Sequence, residues 1–444
     1  MTGYTKRLAE FAAGEEPDAA TSRAALRAVI DWAGCALGGS THEAARIAAG
    51  SLPLLGAGAE CTLAGLTERA SPYGAALVNG VSSHVLDFDD VNVVMIGHPG
   101  VVVVPAALAA AELTQAPSSV LLAAVTAGYQ VAAALGALVN PVHYERGWHA
   151  TGTLGCAAAA AAAGRVFGLD VERMARAISI GLTQAGGLRT MFGSHGKAFH
   201  AGRAAAAGLL AAHLAGRAID VPEDGLEGPA GYLAVATGEP QGRAWDAIWE
   251  APPAIQRTAV KGHAACGGTH CLIDAVAGIV REHRLRPGDL ARIDARVHPL
   301  AVRAAGIESP RTGLEAKFSL RHTAAMAAFR YPLLPSAFEN AAFTSPAVER
   351  LRDAVHIEVD ESFPYEQAMP ADVTVTTTGG DRFHAFVEAP RGRPANPMTD
   401  DELDAKFLGL AEPVLGGRAS AALAGLHGLA TGTAPAAIAR SLAG

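Results

Sequence analysis

Apolar positions recur at helical spacing through most of this chain and switch to strict alternation only late. Leu26, Ile30, Ala33 and Leu37 fall three or four residues apart, so 20–37 reads as a helix that Gly38-Gly39 stops. A second helix is expected over about 42–50. Apolar runs at 104–114 and 118–139 predict two more, with Pro105 in the first turn of the earlier one. The all-alanine run at 157–163 reads as a helix pressed against neighbours, because alanine has the best helix propensity and needs no room. Thr151 or Thr153 is its expected cap. After 290 the period becomes two. ARIDARV, AVHIEVD, ADVTVTT and RFHAFVE read as strands, the last two joined at Gly379-Gly380. LEAKFSLRHTAAMAAF between them reads as a helix holding Lys317 and His322. Thr399 and Glu402 form a capping box ahead of the Leu403, Phe407, Leu410 stripe.

This pattern predicts a mainly α protein with an α+β second domain. Residues 1–255 form the first part of a helical domain, 256–395 the α+β domain, and 396–444 a helical return to the first. The loose, Pro- and Gly-rich stretch at 220–260 marks the crossing.

Composition narrows the class. The chain has 444 residues, 50% of them hydrophobic and only 5% aromatic, with 50 glycines. Close helix packing through small residues is therefore expected. A net charge of -8 gives no basic footprint for nucleic acid. Five scattered cysteines without a CxxC pair, and a charged start without a signal-peptide core, point to reduced, cytoplasmic usage. Val120–Val139 is uncharged over a membrane-spanning length, but its Ala, Gly, Thr and Gln content favours a buried central helix, so no membrane is expected.

Candidate chemistry gathers in a few stretches. Asn79–Pro105 holds His84, Asp87, Asp89, Asp90 and His98 among apolar residues. If 84–90 is helical, His84, Asp87 and Asp90 share one face. A solvated acidic cap is the plain alternative. A calcium loop is excluded, because Asn92 and His98 stand where glycine and glutamate are needed. Tyr144, Trp148 and His149 lie in a polar loop, where a following helix N-terminus would favour an anion. Lys197 sits in a glycine-flanked loop, and His200 and Arg203 open the next helix. Lys261 begins the second domain. Cys266 and His270 do not match a metal-ligand spacing, so no metal is expected. Nucleotide-binding glycine motifs are absent.

The segments NGVSSHVLDFDD, GHPGVVVVPAALAAAE, ERGWHATGTLG, GKAFHAGRAAAAGLLAA, EAKFSL and MTDDELDAKF occur in an order that resembles the MmgE/PrpD family. That family includes 2-methylcitrate dehydratase, cis-aconitate decarboxylase and iminodisuccinate epimerase. The resemblance implies a large helical domain built from both chain ends, a smaller α+β lid, a site between them, a homodimer, and no cofactor. It implies catalytic roles for Asp87, His98, His149, Lys197 and Lys261. Tyr144 opposite Lys197 matches an epimerase pair. His200, Arg203 and His322 are expected to bind substrate. Two positions depart from the family pattern: Val91 replaces a threonine after DFDD, and His322 replaces a tyrosine.

The expected activity is that of a cofactor-independent lyase of the dehydratase type. It would act on a hydroxylated di- or tricarboxylate by proton abstraction next to a carboxylate. Epimerisation of an amino- or imino-dicarboxylate and decarboxylation of the cis-aconitate type are the alternatives. A non-enzymatic carboxylate binder is disfavoured, because five acid–base residues are kept together.

Overall fold

The structure, a computed structural model, describes residues 3–56, 58–238, 245–339, 343, 345–363 and 369–444. Nine helices carry the argument in the first part: α1 (Tyr4–Gly14), α2 (Ala19–Ser40), α3 (Glu43–Gly50), α4 (Pro72–Val85), α5 (Gly100–Thr114), α6 (Ser118–Val139), α7 (Ala150–Val166), α8 (Val171–Thr183) and α9 (His195–Gly216). The alanine run is the centre of this part. Ala157 to Ala163 on α7 are all fully buried, with α5, α6, α8 and α9 packed around them. The long apolar helix α6 lies inside the protein, with 94% of its most apolar window buried.

Small residues set the spacing. Where α4 crosses α9, a Cβ on Gly80 would stand 2.7 Å from the Gly202 Cα, and one on Gly202 would stand 2.2 Å from the Leu77 carbonyl oxygen. Only a pair of glycines lets these backbones meet. The crossing matters because α4 leads into Asp87 and α9 carries Lys197 and His200.

The later part contains α10 (His270–Glu282), α11 (Leu320–Phe329) and a four-stranded sheet of β1 (Leu290–Val297), β2 (Val355–Val359), β3 (Ala371–Thr377) and β4 (Arg382–Val387). Strand order is β2-β1-β3-β4, with β1 and β2 parallel and the other pairs antiparallel. Burial alternates along β3, and α10 packs on the β3–β4 side of the sheet. The final long helix, α12 (Asp400–Leu415), returns to lie against α2. Its capping box is present: Thr399 Oγ1 accepts from the Glu402 N–H at 3.2 Å, and the Glu402 carboxylate accepts from the Thr399 N–H at 2.7 Å.

Six local expectations need correction. Helix α2 runs through Gly38-Gly39 to Ser40, and Tyr144 lies in a short helix, Val142–Glu145, rather than a loop. Pro105 is not in a first turn, because α5 begins five residues earlier, at Gly100. The 314–329 stretch is two helices, broken at Lys317–Ser319, with Ser319 capping α11. Lys197 is in the first turn of α9 rather than in a loop. Neither Thr151 nor Thr153 caps α7. The N-cap is His149, and the Thr151 hydroxyl accepts from the His98 N–H at 3.1 Å instead.

Candidate active site

Helix α4 stops before the acids it was expected to carry. The Asp87 N–H bonds the His84 carbonyl at 3.0 Å, and Asp87 takes φ +52°, a left-handed conformation in which aspartate is better tolerated than most residues. The expected shared helix face is therefore lost. The three aspartates turn to three different sets of partners.

Asp87 faces two cations. Lys197 and Lys261 each donate to its Oδ1 at 2.8 Å, and Lys261 also donates to its carbonyl oxygen at 2.9 Å. All three side chains are buried. Burial works against the Asp87 charge, but the two ammonium groups outweigh it and hold its pKa well below the carboxylate range. The same pairing raises Lys261 against its own burial.

Asp89 faces two imidazoles. Its Oδ2 lies 2.9 Å from His84 Nδ1 and 3.1 Å from His98 Nδ1. Burial pushes His84 down to about 3 and lowers His98, so neutral His84 donates to the carboxylate, while His98 Nδ1 lies closer to the Asp90 carbonyl, at 2.7 Å. Asp90 turns away, accepting from the Gly100 N–H at 3.0 Å and from the Tyr129 hydroxyl. It serves the framework.

His149 stands at the start of α7, its ring stacked 5.9 Å from His84 and edge-on to Phe192 at 5.0 Å. Burial, then Lys197 and neighbouring imidazoles, hold it well below its usual pKa. Its Nε2 is buried without a hydrogen-bond partner, as are His84 Nε2, Asp87 Oδ2 and Asp89 Oδ1. Four such atoms in one place point to a ligand. The pocket here is polar on one side, where Asp87, His98, Tyr144, His149 and Lys197 line it. Val91, Ile96, Leu300, Phe318 and Met369 form an apolar wall, with the last three contributed by the later half of the chain.

A metal fits poorly. His84, Asp87, Asp89 and His98 offer ligand atoms within 4.8 Å of one another. However, Asp87 already holds two ammonium groups, and a divalent cation would meet their repulsion at short range in a buried site.

The structure separates the other expected residues. Tyr144 borders the pocket, with the Arg189 guanidinium 4.2 Å over its ring. His200 lies behind His149, Nδ1 to Nδ1 at 3.0 Å, and does not line the pocket. Arg203 is spent on backbone: it donates to the carbonyls of Gln184, Gly152 and Gly186. His322 is buried on α11 against Phe343, outside the pocket lining. The position at which it replaces a tyrosine thus does not face this pocket.

Sequence reasoning gives no role to His84, Asp89, Lys317 or Lys406. His84 and Asp89 stand in the acid-rich stretch and were findable there. Lys317 donates to the Leu86 carbonyl, and burial pushes it down to about 7. Lys406 on α12 donates to Asp31 at 2.6 Å, to the Phe88 carbonyl at 2.7 Å and to the Lys261 carbonyl at 3.0 Å. One buried ammonium therefore ties down the segments that carry both Asp87 and Lys261.

Residues 6–243 match the model of the MmgE/PrpD N-terminal domain, and residues 263–426 match that of the MmgE/PrpD C-terminal domain. The chain is 27% identical to the cis-aconitate decarboxylase of Homo sapiens, over 88% of this chain and 83% of that protein. It is 27% identical to a cis-aconitate decarboxylase-like protein of Aspergillus oryzae, over 87% and 85%. It is 26% identical to the cis-aconitate decarboxylase of Mus musculus, over 78% and 73%.

Proposed function

The chain belongs to the MmgE/PrpD family, and from that premise we propose that this enzyme is a lyase for a hydroxylated di- or tricarboxylate. It works through negative charge on a carbon next to a carboxylate. One observation carries the reading. Lys197 and Lys261 share a single oxygen of Asp87 at 2.8 Å each, beside the unpartnered Nε2 of His149. The two ammonium groups are balanced by Asp87 and the neighbouring Asp89, but they hold fixed N–H donors in a buried pocket. Such a fixed field stabilises an anionic transition state that water would stabilise only after reorganising.

The roles follow from position. Lys197 receives a substrate carboxylate at the pocket wall, Lys261 adds its charge from behind Asp87, outside the lining, and neutral His98 presents an accepting Nε2. Lys197 stands in an ion pair as a cation, which leaves the base role to His149 Nε2. Asp87 orients the two ammonium groups, and Asp89 orients His84 and His98. Tyr144 borders the pocket and is the candidate acid for the leaving hydroxyl. The reaction so written needs no metal or organic cofactor. A homodimer in the cytoplasm belongs to the same proposal, and light scattering measures the oligomer.

Decarboxylation is the second reading. The names of the relatives favour it, and so does the apolar wall, which suits an uncharged leaving carbon dioxide.

Proton NMR in deuterium oxide separates these reactions, with 2-methylcitrate, cis-aconitate and iminodisuccinate as substrates. Replacement of the 2-methylcitrate methyl doublet by an allylic methyl singlet supports dehydration, since the alkene formed carries no vinyl proton. Loss of carbon dioxide from cis-aconitate moves the assignment to the second reading. Exchange of an α-proton with the skeleton intact identifies an epimerase, with Tyr144 and Lys197 as the pair, and overturns the lyase proposal.

A further inference from the structure

His200 sits in a niche cut for it. A Cβ on Gly152 would lie 3.0 Å from the His200 Cβ, and one on Gly187 would lie 3.1 Å from both its Cγ and its Nδ1. Gly187 has φ +127°, and its carbonyl accepts the His149 N–H at 3.0 Å. The segment that shapes the niche therefore also fixes the backbone of His149. The result is a contact between two Nδ1 atoms at 3.0 Å, with the ring centres 5.3 Å apart. Two neutral imidazoles bond in this way only if one carries its proton on Nδ1 and the other on Nε2.

We infer that His149 and His200 form a two-ring proton relay, in which His149 is protonated on Nδ1 and His200 on Nε2 in the resting enzyme. The inference rests on the lyase reading, in which His149 Nε2 meets the substrate. In the forward step the substrate C–H bond breaks. Its electron pair stays on carbon, and the proton goes to His149 Nε2. The Nδ1 proton of His149 passes to His200 Nδ1. His149 is then neutral with its proton facing the pocket, and His200 is the imidazolium. The reverse transfers let His149 Nε2 return its proton to the carbanion, so one ring serves as base in one direction and acid in the other, while Tyr144 serves the leaving hydroxyl. His200 never touches substrate; it acts through His149.

The surrounding charges set the resting state. Lys197 and Arg203 lie on the same helix as His200, and Lys197, His84 and His98 surround His149. Burial, with Arg203 and Lys197, pushes His200 down to about 4, so the pair is neutral near pH 7 and free to accept one proton. Negative charge developing on the substrate carbon offsets the cost of that extra proton.

Nitrogen-15 NMR of the histidine-labelled enzyme tests the resting tautomers without reference to activity. The expected spectrum has a protonated Nδ1 and a bare Nε2 on His149, and the opposite on His200. A proton on His149 Nε2 at rest overturns the inference. His200→Gln keeps an acceptor but cannot take a proton, and His200→Asn repeats the test if the first variant folds poorly. The expected result is a kcat at least 30-fold lower, KM within threefold and a changed pH profile. Unchanged kcat and pH profile overturn it. If no lyase activity is found but the tautomers are as expected, the function proposal fails and the hydrogen-bonded pair stands.

Discussion

Lys261 Nζ lies 2.8 Å from Asp87 Oδ1 and 2.9 Å from the Asp87 carbonyl oxygen, so one ammonium fixes both the side chain and the backbone of the residue it neutralises. Removing either partner leaves a buried charge poorly compensated. Asp87→Asn is expected to cost on the order of 3–5 kcal/mol in stability. Lys261→Met is expected to lower kcat by about 10²–10³, the usual loss for one buried electrostatic donor. Because the two residues are coupled, the double variant should be less unstable than the sum of the singles. Denaturant titration of all four proteins checks this, and strict additivity would count against the pairing.

Lys317 gives a pH signature. Burial holds its folded pKa at about 7, against 10.5 for the free side chain. Between those values the unfolded chain binds more protons than the folded one. Its contribution therefore makes stability rise as pH goes from about 7 toward 10, and the gain is lost as pH falls through 7. Lys317→Met should flatten that rise by up to one proton. Urea unfolding at several pH values in this window measures the slope, and equal slopes in both proteins would refute the assignment.

The crossing of α4 and α9 makes a third prediction. A methyl group at position 202 has no space beside the Leu77 carbonyl oxygen. Gly202→Ala should therefore destabilise the protein by about 1–3 kcal/mol. Activity should fall with it, because α9 holds Lys197 and His200. Thermal unfolding and kcat measured on the same preparation test both parts.

Placement separates Arg203 and His322 from the pocket residues. Arg203→Ala should lower stability, because three carbonyls lose their donor, while KM for a carboxylate changes less than in Lys197→Met. His322→Gln should leave kcat and KM within about twofold. A large KM effect at either position would return it to the substrate site.

Much of this architecture is legible in the sequence because its signals are local. The 118–139 apolar run coincides with α6, the alternating segments give the four strands, and the Gly379-Gly380 hairpin pairs Ala371 with Val387. Pocket residues such as Asp87, His98, His149 and Lys197 stand out as polar groups in apolar surroundings. What stayed hidden depends on distant contacts. Nothing near Lys406 shows that it will meet Asp31, 375 residues away. Arg203 looks like a carboxylate ligand until the Gln184 and Gly186 carbonyls of the preceding loop and the Gly152 carbonyl of α7 fold onto it. Asp87 looks helical because periodicity carries no sign that the chain will turn left-handed there.

Binding of a non-reacting tricarboxylate tests the central claim most directly, since the site is proposed to hold several carboxylates in a buried pocket through fixed ammonium donors. Calorimetry with propane-1,2,3-tricarboxylate and with acetate, on the native enzyme and on Lys197→Met, makes the comparison. The account expects the tricarboxylate to bind at least tenfold tighter than acetate, and expects that advantage to shrink by tenfold or more in the variant. Equal binding of the two anions, or a tricarboxylate affinity untouched by the loss of Lys197, would contradict it.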